Sequence, residues 1–169
     1  MKPHSPKIFK LVQASLFLAL TFLGTLASFP VGVMGNLNLG DGILLAGVSL
    51  LGIPGVIAGA LGAMICDLVS GYAIYAPATL VIKLLMGFAA FVILYLFEKK
   101  AKFRKLSLLL SGIAAELVMV GGYYLFESIF LIGWIPALAN IPFNLLQGGV
   151  AVILFFLLSG ILGKWKNKV

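Results

Sequence analysis

A few polar side chains lie inside runs that are otherwise hydrocarbon: the acids Asp41, Asp67, Glu116 and Glu127; one lysine, Lys83; the amides Asn36, Asn38, Asn140, Asn144 and Gln147; and the phenols Tyr72, Tyr75 and Tyr123. Their types limit the chemistry. The single histidine, His4, falls in the amino-terminal tail, so no imidazole-based acid–base or metal centre can form within the apolar runs. Cys66 is the lone cysteine; it has no partner for an intrachain disulfide or a thiolate metal site and reads as a small buried residue. No G-x-x-x-x-G-K-[ST] phosphate loop is present (Gly160–Lys164 lacks the spacing), and neither is H-E-x-x-H or G-x-S-x-G. Carboxylates, amides, phenols and one ammonium with no activated nucleophile suit non-covalent recognition of a small polar molecule. No catalytic residue, metal ligand or cofactor of this chain is expected.

The elements that carry these groups belong in a membrane. Of 169 residues, 62% are hydrophobic and 10% charged, against about 25% charged in a soluble domain. The net charge of +7 would suit nucleic acid, but its distribution does not. Eleven of the twelve basic residues lie at Lys2, Lys7 and Lys10, at Lys99, Lys100, Lys102, Arg104 and Lys105, and at Lys164, Lys166 and Lys168. By the positive-inside rule both ends and one middle loop are cytoplasmic. Anionic lipid is a minor further partner of these clusters. The expected fold is all-α: one domain over 1–169 with six transmembrane helices, at about 8–29, 42–52, 55–71, 78–97, 106–132 and 137–163, both termini cytoplasmic. The first apolar run, Leu11 to Phe29, is long for a secretory h-region and Ser28-Phe29-Pro30 is a poor cleavage site, so a retained span is expected. Pro30 ends that span, and Gly32, Gly35 and Gly40 predict an irregular outer loop carrying Asn36, Asn38 and Asp41. Gly52-Ile53-Pro54-Gly55 predicts a turn between two separate runs rather than one kinked helix. Trp134 and Trp165 stand where interfacial aromatics belong.

Depth along the spans decides which polar groups can meet. Asp67 is roughly 6 Å of helix from the break at Gly71, and Lys83 roughly 9 Å past Pro77. An Asp67–Lys83 ion pair is the plain expectation, with one or both also open to a ligand and Tyr72 and Tyr75 closing the region or serving as belt tyrosines. Glu116, Tyr123 and Glu127 share a strip of the fifth span through spacings of seven and four. Glu116 lies near mid-span and requires a partner; Glu127 is near the outer surface, where solvent can hold it. Asn140, Asn144 and Gln147 form an amide strip on the outer half of the last span, suited to hydrogen bonding a heterocycle or a neighbouring helix. Asn36, Asn38 and Asp41 would fold over the site from the loop.

Three stretches carry a family resemblance: N-L-N-L-G-D-G at 36–42; Gly55 followed by G-A-L-G-A-x-x-x-D-L-x-S-G-Y to Tyr72; and A-P-A-T-L-V-I-K-x-x-x-G at 76–87. The chain resembles the substrate-binding S components of energy-coupling factor vitamin transporters, in the branch of riboflavin, hydroxymethylpyrimidine and pyridoxine types. The resemblance implies a six-helix membrane protein that binds a vitamin or precursor from outside. It implies no ATPase of its own, and work alongside a membrane T component and two ATP-binding cassette subunits that use ATP. It also implies a site built from the first outer loop and the later spans, with delivery by toppling in the bilayer. In that family an A-x-x-x-A step on the first helix contacts the T component. Ser15 and Ala19 match it here, with serine at the first position. The substrate expected from the modest polar set is a small ring of hydroxymethylpyrimidine or pyridoxine type, with riboflavin as the alternative. A membrane-lipid enzyme would need carboxylates facing the cytoplasm, and a channel or structural subunit a polar path through both halves; neither pattern is present.

Overall fold

The computed structural model describes residues 6–31, 35–97 and 101–166. The chain is built of helices α1 (Pro6–Leu26), α2 (Gly40–Leu51), α3 (Ile53–Val69), α4 (Ala76–Phe97), α5 (Arg104–Phe126), a short α6 (Trp134–Leu138) and α7 (Ile141–Lys166). A single 3-10 turn, Ala101–Phe103, precedes α5, and a π-helical turn, Glu127–Leu131, extends it. By length and composition four stretches can cross a bilayer: Lys7–Leu26, Ala76–Phe97, Arg104–Leu131 and Trp134–Leu162. The apolar helices α2 and α3 have 12 and 17 residues, or roughly 18 and 26 Å at 1.5 Å per residue, short of a hydrocarbon core of about 30 Å.

The large exposed residues on these helices are hydrocarbon: Leu16, Leu20 and Leu23 on α1; Val81, Leu85 and Phe88 on α4; Leu109, Ile113 and Leu117 on α5; Ile153 and Leu157 on α7. An outer surface this apolar has lipid as its natural solvent. Small and polar residues turn inward. Helix α2 is the axis of the bundle, in contact with α1, α3, α4 and α7, and it buries Gly40, Asp41, Gly42, Leu44, Leu45, Ala46, Gly47 and Val48. Around it α3, α4, α5 and α7 pack in sequence, while α1 lies against α2 and α3.

Glycine makes that close packing possible. Gly52, at φ +66°, turns the chain between α2 and α3, with Pro54 at the start of α3, as the sequence leads one to expect. Gly62 lets α3 approach α1, because a Cβ there would run into the backbone carbonyl of Leu18 and come within 3.1 Å of the Phe22 nitrogen. Backbone cannot swing aside as a side-chain tip can. Gly62→Val is therefore expected to destabilise the protein by about 1–3 kcal/mol through overpacking, read as earlier thermal unfolding in detergent. Gly149→Ala, whose Cβ would meet nothing within 4 Å, should leave unfolding nearly unchanged; equal effects at both positions would refute the α1–α3 contact as the cause.

Two elements differ from expectation. The segment after α1 is not wholly irregular: Phe29–Val31 (β1) and Gly35–Leu37 (β2) pair antiparallel, with Phe29 opposite Leu37. Gly32, between these strands, and the side chain of Trp165 lie outside the described residues. The hairpin brings the chain back onto α1, where the Leu39 amide bonds the Gly24 carbonyl at 3.0 Å. The last span is also divided. Asn140 falls in the turn between α6 and α7, consistent with Pro142 at the second position of α7, where a missing amide hydrogen costs no helical bond.

Candidate functional site

The polar residues converge at one end of the bundle, where α1 and α3 finish and α4 and α7 begin. They line a cavity of about 200 Å³. Thr25 and Ser28 come from α1 and the residues just after it, Asn38 from the returning loop and Asp41 from α2. Cys66, Asp67 and Ser70 come from the end of α3, Tyr72 and Tyr75 from the loop that follows, and Thr79 and Lys83 from α4. Tyr123 and Glu127 close the α5 side; Asn144 and Gln147 close the α7 side.

Three hydrogen-bond networks organise these walls. The deepest is centred on Asp41. The Lys83 ammonium donates to its Oδ1 at 2.5 Å and the Gln147 amide to its Oδ2 at 2.7 Å. Gln147 in turn accepts from Asn38 at 3.2 Å, and Asn38 Oδ1 accepts the Gly40 amide at 3.0 Å. Asp41 lies in the first turn of α2, the end of a helix that favours a negative charge. The Lys83 ammonium also lies 5.3 Å from the centre of the Tyr123 ring, within cation–π range. With both partners almost wholly buried, the pair satisfies itself and its neighbours.

The second network holds Asp67. The Thr79 hydroxyl donates to Asp67 Oδ2 at 2.5 Å, and the Tyr123 hydroxyl lies 2.9 Å from the same Thr79 oxygen. The third holds Glu127, which accepts from the Tyr75 hydroxyl at 3.4 Å and the Asn140 amide at 2.8 Å. Glu127 opens the π-helical turn, whose wider ring is closed by the Ile132 amide on the Glu127 carbonyl at 2.9 Å; such turns recur at functional sites. Tyr75 stands in the turn ahead of α4. Burial pushes its phenol up, to about 12, with the Glu127 carboxylate adding to the effect, so at physiological pH it is a neutral donor.

The expected Asp67–Lys83 pair does not form. Thr79, not Lys83, lies level with Asp67 on α4; Lys83 is one turn deeper, about 6 Å along the axis, where the start of α2 meets it. Asp41, expected in an outer loop, sits instead buried inside the bundle, because the hairpin returns the chain before α2 starts. Glu127, expected at a solvated edge, is also buried.

Of the residues singled out from sequence, Asn38, Asp41, Asp67, Tyr72, Tyr75, Lys83, Tyr123, Asn144 and Gln147 line the cavity. Asn140 stands behind Glu127 and positions it. Glu116 does not line the cavity: its Oε2 lies near Gly148 of α7, and neither carboxyl oxygen has a hydrogen-bond partner among the described residues. The helical strip explains the separation, since seven residues carry Glu116 about 10 Å below Tyr123. The side chain of Asn36 lies outside the described residues, although its backbone pairs with Pro30. Ser15 and Ala19 are exposed on α1 and do not line the cavity.

Sequence reasoning left out Glu127, Thr79, Thr25, Ser28 and Ser70 as lining groups. Two of these had a usable signal: Thr79 lies within A-P-A-T-L-V-I-K, and Glu127 one turn beyond Tyr123.

A family described as "ECF-type riboflavin transporter, S component" matches residues 5–164. The chain is 34% identical over 154 residues to the thiamine precursor transporter HmpT of Lactococcus lactis subsp. cremoris (strain MG1363), covering 89% of this chain and 85% of that protein. Both descriptions are of transporter components rather than enzymes. A chain of apolar helices that encloses a polar cavity, and that matches one family over nearly its whole length, belongs to the S components of ECF-type transporters.

Proposed function

We propose that this chain captures a water-soluble vitamin precursor from outside a bacterial plasma membrane and passes it to an ATP-driven module. That module consists of a T component and two ATPase subunits, which hydrolyse the ATP. The chain would act as one domain over residues 1–169 with six crossings and both termini cytoplasmic. Lys7 and Lys10 in the first turns of α1, and Lys102, Arg104 and Lys105 where α5 begins, lie at the end of the bundle away from the cavity, which supports an outward-facing site. Asn36 and Asn38 would belong to a flap over it, and Asp41, Asp67, Tyr72, Tyr75, Lys83, Tyr123, Asn144 and Gln147 to its walls; Glu116 and Asn140 would act from behind.

One observation carries this reading: the polar walls of an otherwise hydrocarbon bundle close around a small cavity. Its volume, about 200 Å³, lies below the roughly 300–1,000 Å³ of pockets for drug-sized ligands. A single substituted ring fits that size better than a flavin. Hydroxymethylpyrimidine is therefore favoured over pyridoxine, in keeping with the thiamine-precursor relative, and riboflavin is the competing substrate because of the family's name.

Purified protein without ATP should bind one of hydroxymethylpyrimidine, pyridoxine, riboflavin, thiamine, pantothenate or folate with a Kd well below about 1 μM, equivalent to more than about 8 kcal/mol, measured by titration calorimetry. Folded protein that binds none of these would overturn the assignment.

A further inference from the structure

Counting hydroxyl protons gives the site a direction. Thr79 has one hydroxyl hydrogen, and it goes to Asp67 Oδ2. The Tyr123 hydroxyl, 2.9 Å from the Thr79 oxygen, must then be the donor in that contact. The chain runs from Tyr123 through Thr79 and ends on an acceptor. Tyr75 and Asn140 likewise donate to Glu127, and the Lys83 ammonium and Gln147 amide both go to Asp41. The protein has committed these donors to its own carboxylates.

Among the charged groups, what remains open to a ligand is acidic, beside the neutral hydroxyls of Thr25 and Ser28 and the Asn144 amide. Asp67 Oδ1 takes no hydrogen bond among the described residues, and Asp67 lines the cavity. Asp41 and Lys83 cancel as a pair. Asp67 and Glu127 are then the cavity's uncompensated acids, and Lys83, its lining cation, is already taken. A carboxylate with open lone pairs binds most strongly to paired N–H donors, especially on a cationic or amidine-like edge. It repels anions and wastes its lone pairs against carbonyls.

Building on the small-molecule reading above, we propose that Asp67 is the specificity-determining residue of the site. It selects a heterocycle that presents an exocyclic amino group beside a protonatable ring nitrogen, with Glu127 as a second acceptor. Ring ligands that present oxo groups there, and phosphorylated forms of the same ring, are excluded.

The test uses the full-length protein in detergent and titration calorimetry with three probes: the amino-substituted hydroxymethylpyrimidine, its oxo analogue, and its phosphate ester. Wild type should bind the amino ring at least about tenfold more tightly than either of the others. Asp67→Asn should weaken binding of the amino ring about 10- to 100-fold, the usual loss for a charge-assisted hydrogen bond. It should also narrow or invert the preference over the oxo ring, because an amide offers the N–H that a carboxylate lacks. A merely structural role for Asp67 would lower all affinities together and leave the preference intact, which would overturn the proposal. Wild type that binds the oxo ring or riboflavin as tightly as the amino ring would also overturn it, while leaving the transporter assignment standing. Folded wild type that binds no vitamin-like ring would remove both.

Discussion

Lys83→Met is expected to lose about 3–5 kcal/mol of stability, because it strands a buried carboxylate. Asp41 and Lys83 are both almost fully buried, so neither can turn to water when its partner is lost. With the ammonium gone, Asp41 would keep, among the described residues, only the Gln147 amide as a side-chain donor. The fall should appear as a lower unfolding temperature in detergent and a smaller folded yield. The double variant Asp41→Asn/Lys83→Met should recover most of the loss. It removes both charges together, and the amide oxygen introduced at position 41 can still accept from Gln147. Asp67→Asn should cost no more than about 1 kcal/mol, since an amide oxygen can accept the Thr79 hydroxyl and one neutral hydrogen bond is worth about that much. A double variant less stable than Lys83→Met, or an Asp67→Asn variant as damaged as Lys83→Met, would contradict the Asp41–Lys83 pairing.

Ala19→Trp is expected to abolish co-purification with the T component and ATPase subunits while leaving ligand binding by the isolated chain intact. Phe17, Thr21 and Gly24 are buried on α1, whereas Ser15 and Ala19 are exposed. Two small residues four apart on an exposed apolar helix make a shallow groove that another helix can enter closely. An indole there would hold the partner off, and Ser15→Trp should act likewise. Because neither residue lines the cavity, the ligand affinity should not change. Leu85→Trp, on the exposed face of α4, controls for bulk on the lipid side. If the complex survives Ala19→Trp, this face is not the partner surface; if ligand binding is lost, the face is part of the internal packing.

Much of the helical layout could be read along the chain. Runs of hydrocarbon, broken by Pro30, by Gly52 to Gly55 and by Gly71 to Pro77, place five helix starts or ends within a few residues of where they occur. This works because breaks are local: proline lacks an amide hydrogen and glycine tolerates positive φ, whatever lies nearby. The hairpin at Phe29–Leu37 was less legible. Its strands are three residues each, too short to show an alternating pattern.

Much of the cavity's polar lining was legible, and its wiring was not. Asp41, Asp67, Lys83, Tyr123 and Gln147 stood out because a polar group in a hydrocarbon run requires a reason. The cost of such a group depends only on residue type and on the neighbours in sequence, whatever the tertiary packing. Which carboxylate takes the ammonium depends instead on axial offsets between helices. One turn of α4 separates Thr79 from Lys83, and the hairpin sets how far α2 drops into the bundle. Counting residues from each break could not measure either offset. Tertiary packing therefore paired Lys83 with Asp41, left Asp67 open toward the cavity, buried Glu127 and set Glu116 below the site. Residue types along the chain were enough to pick out polar groups set inside apolar helices and to name many of the residues that line the cavity. It took the packing of α2 against α4 and α7 to show which charges are already paired, and thus which acid stays unpaired in the cavity wall.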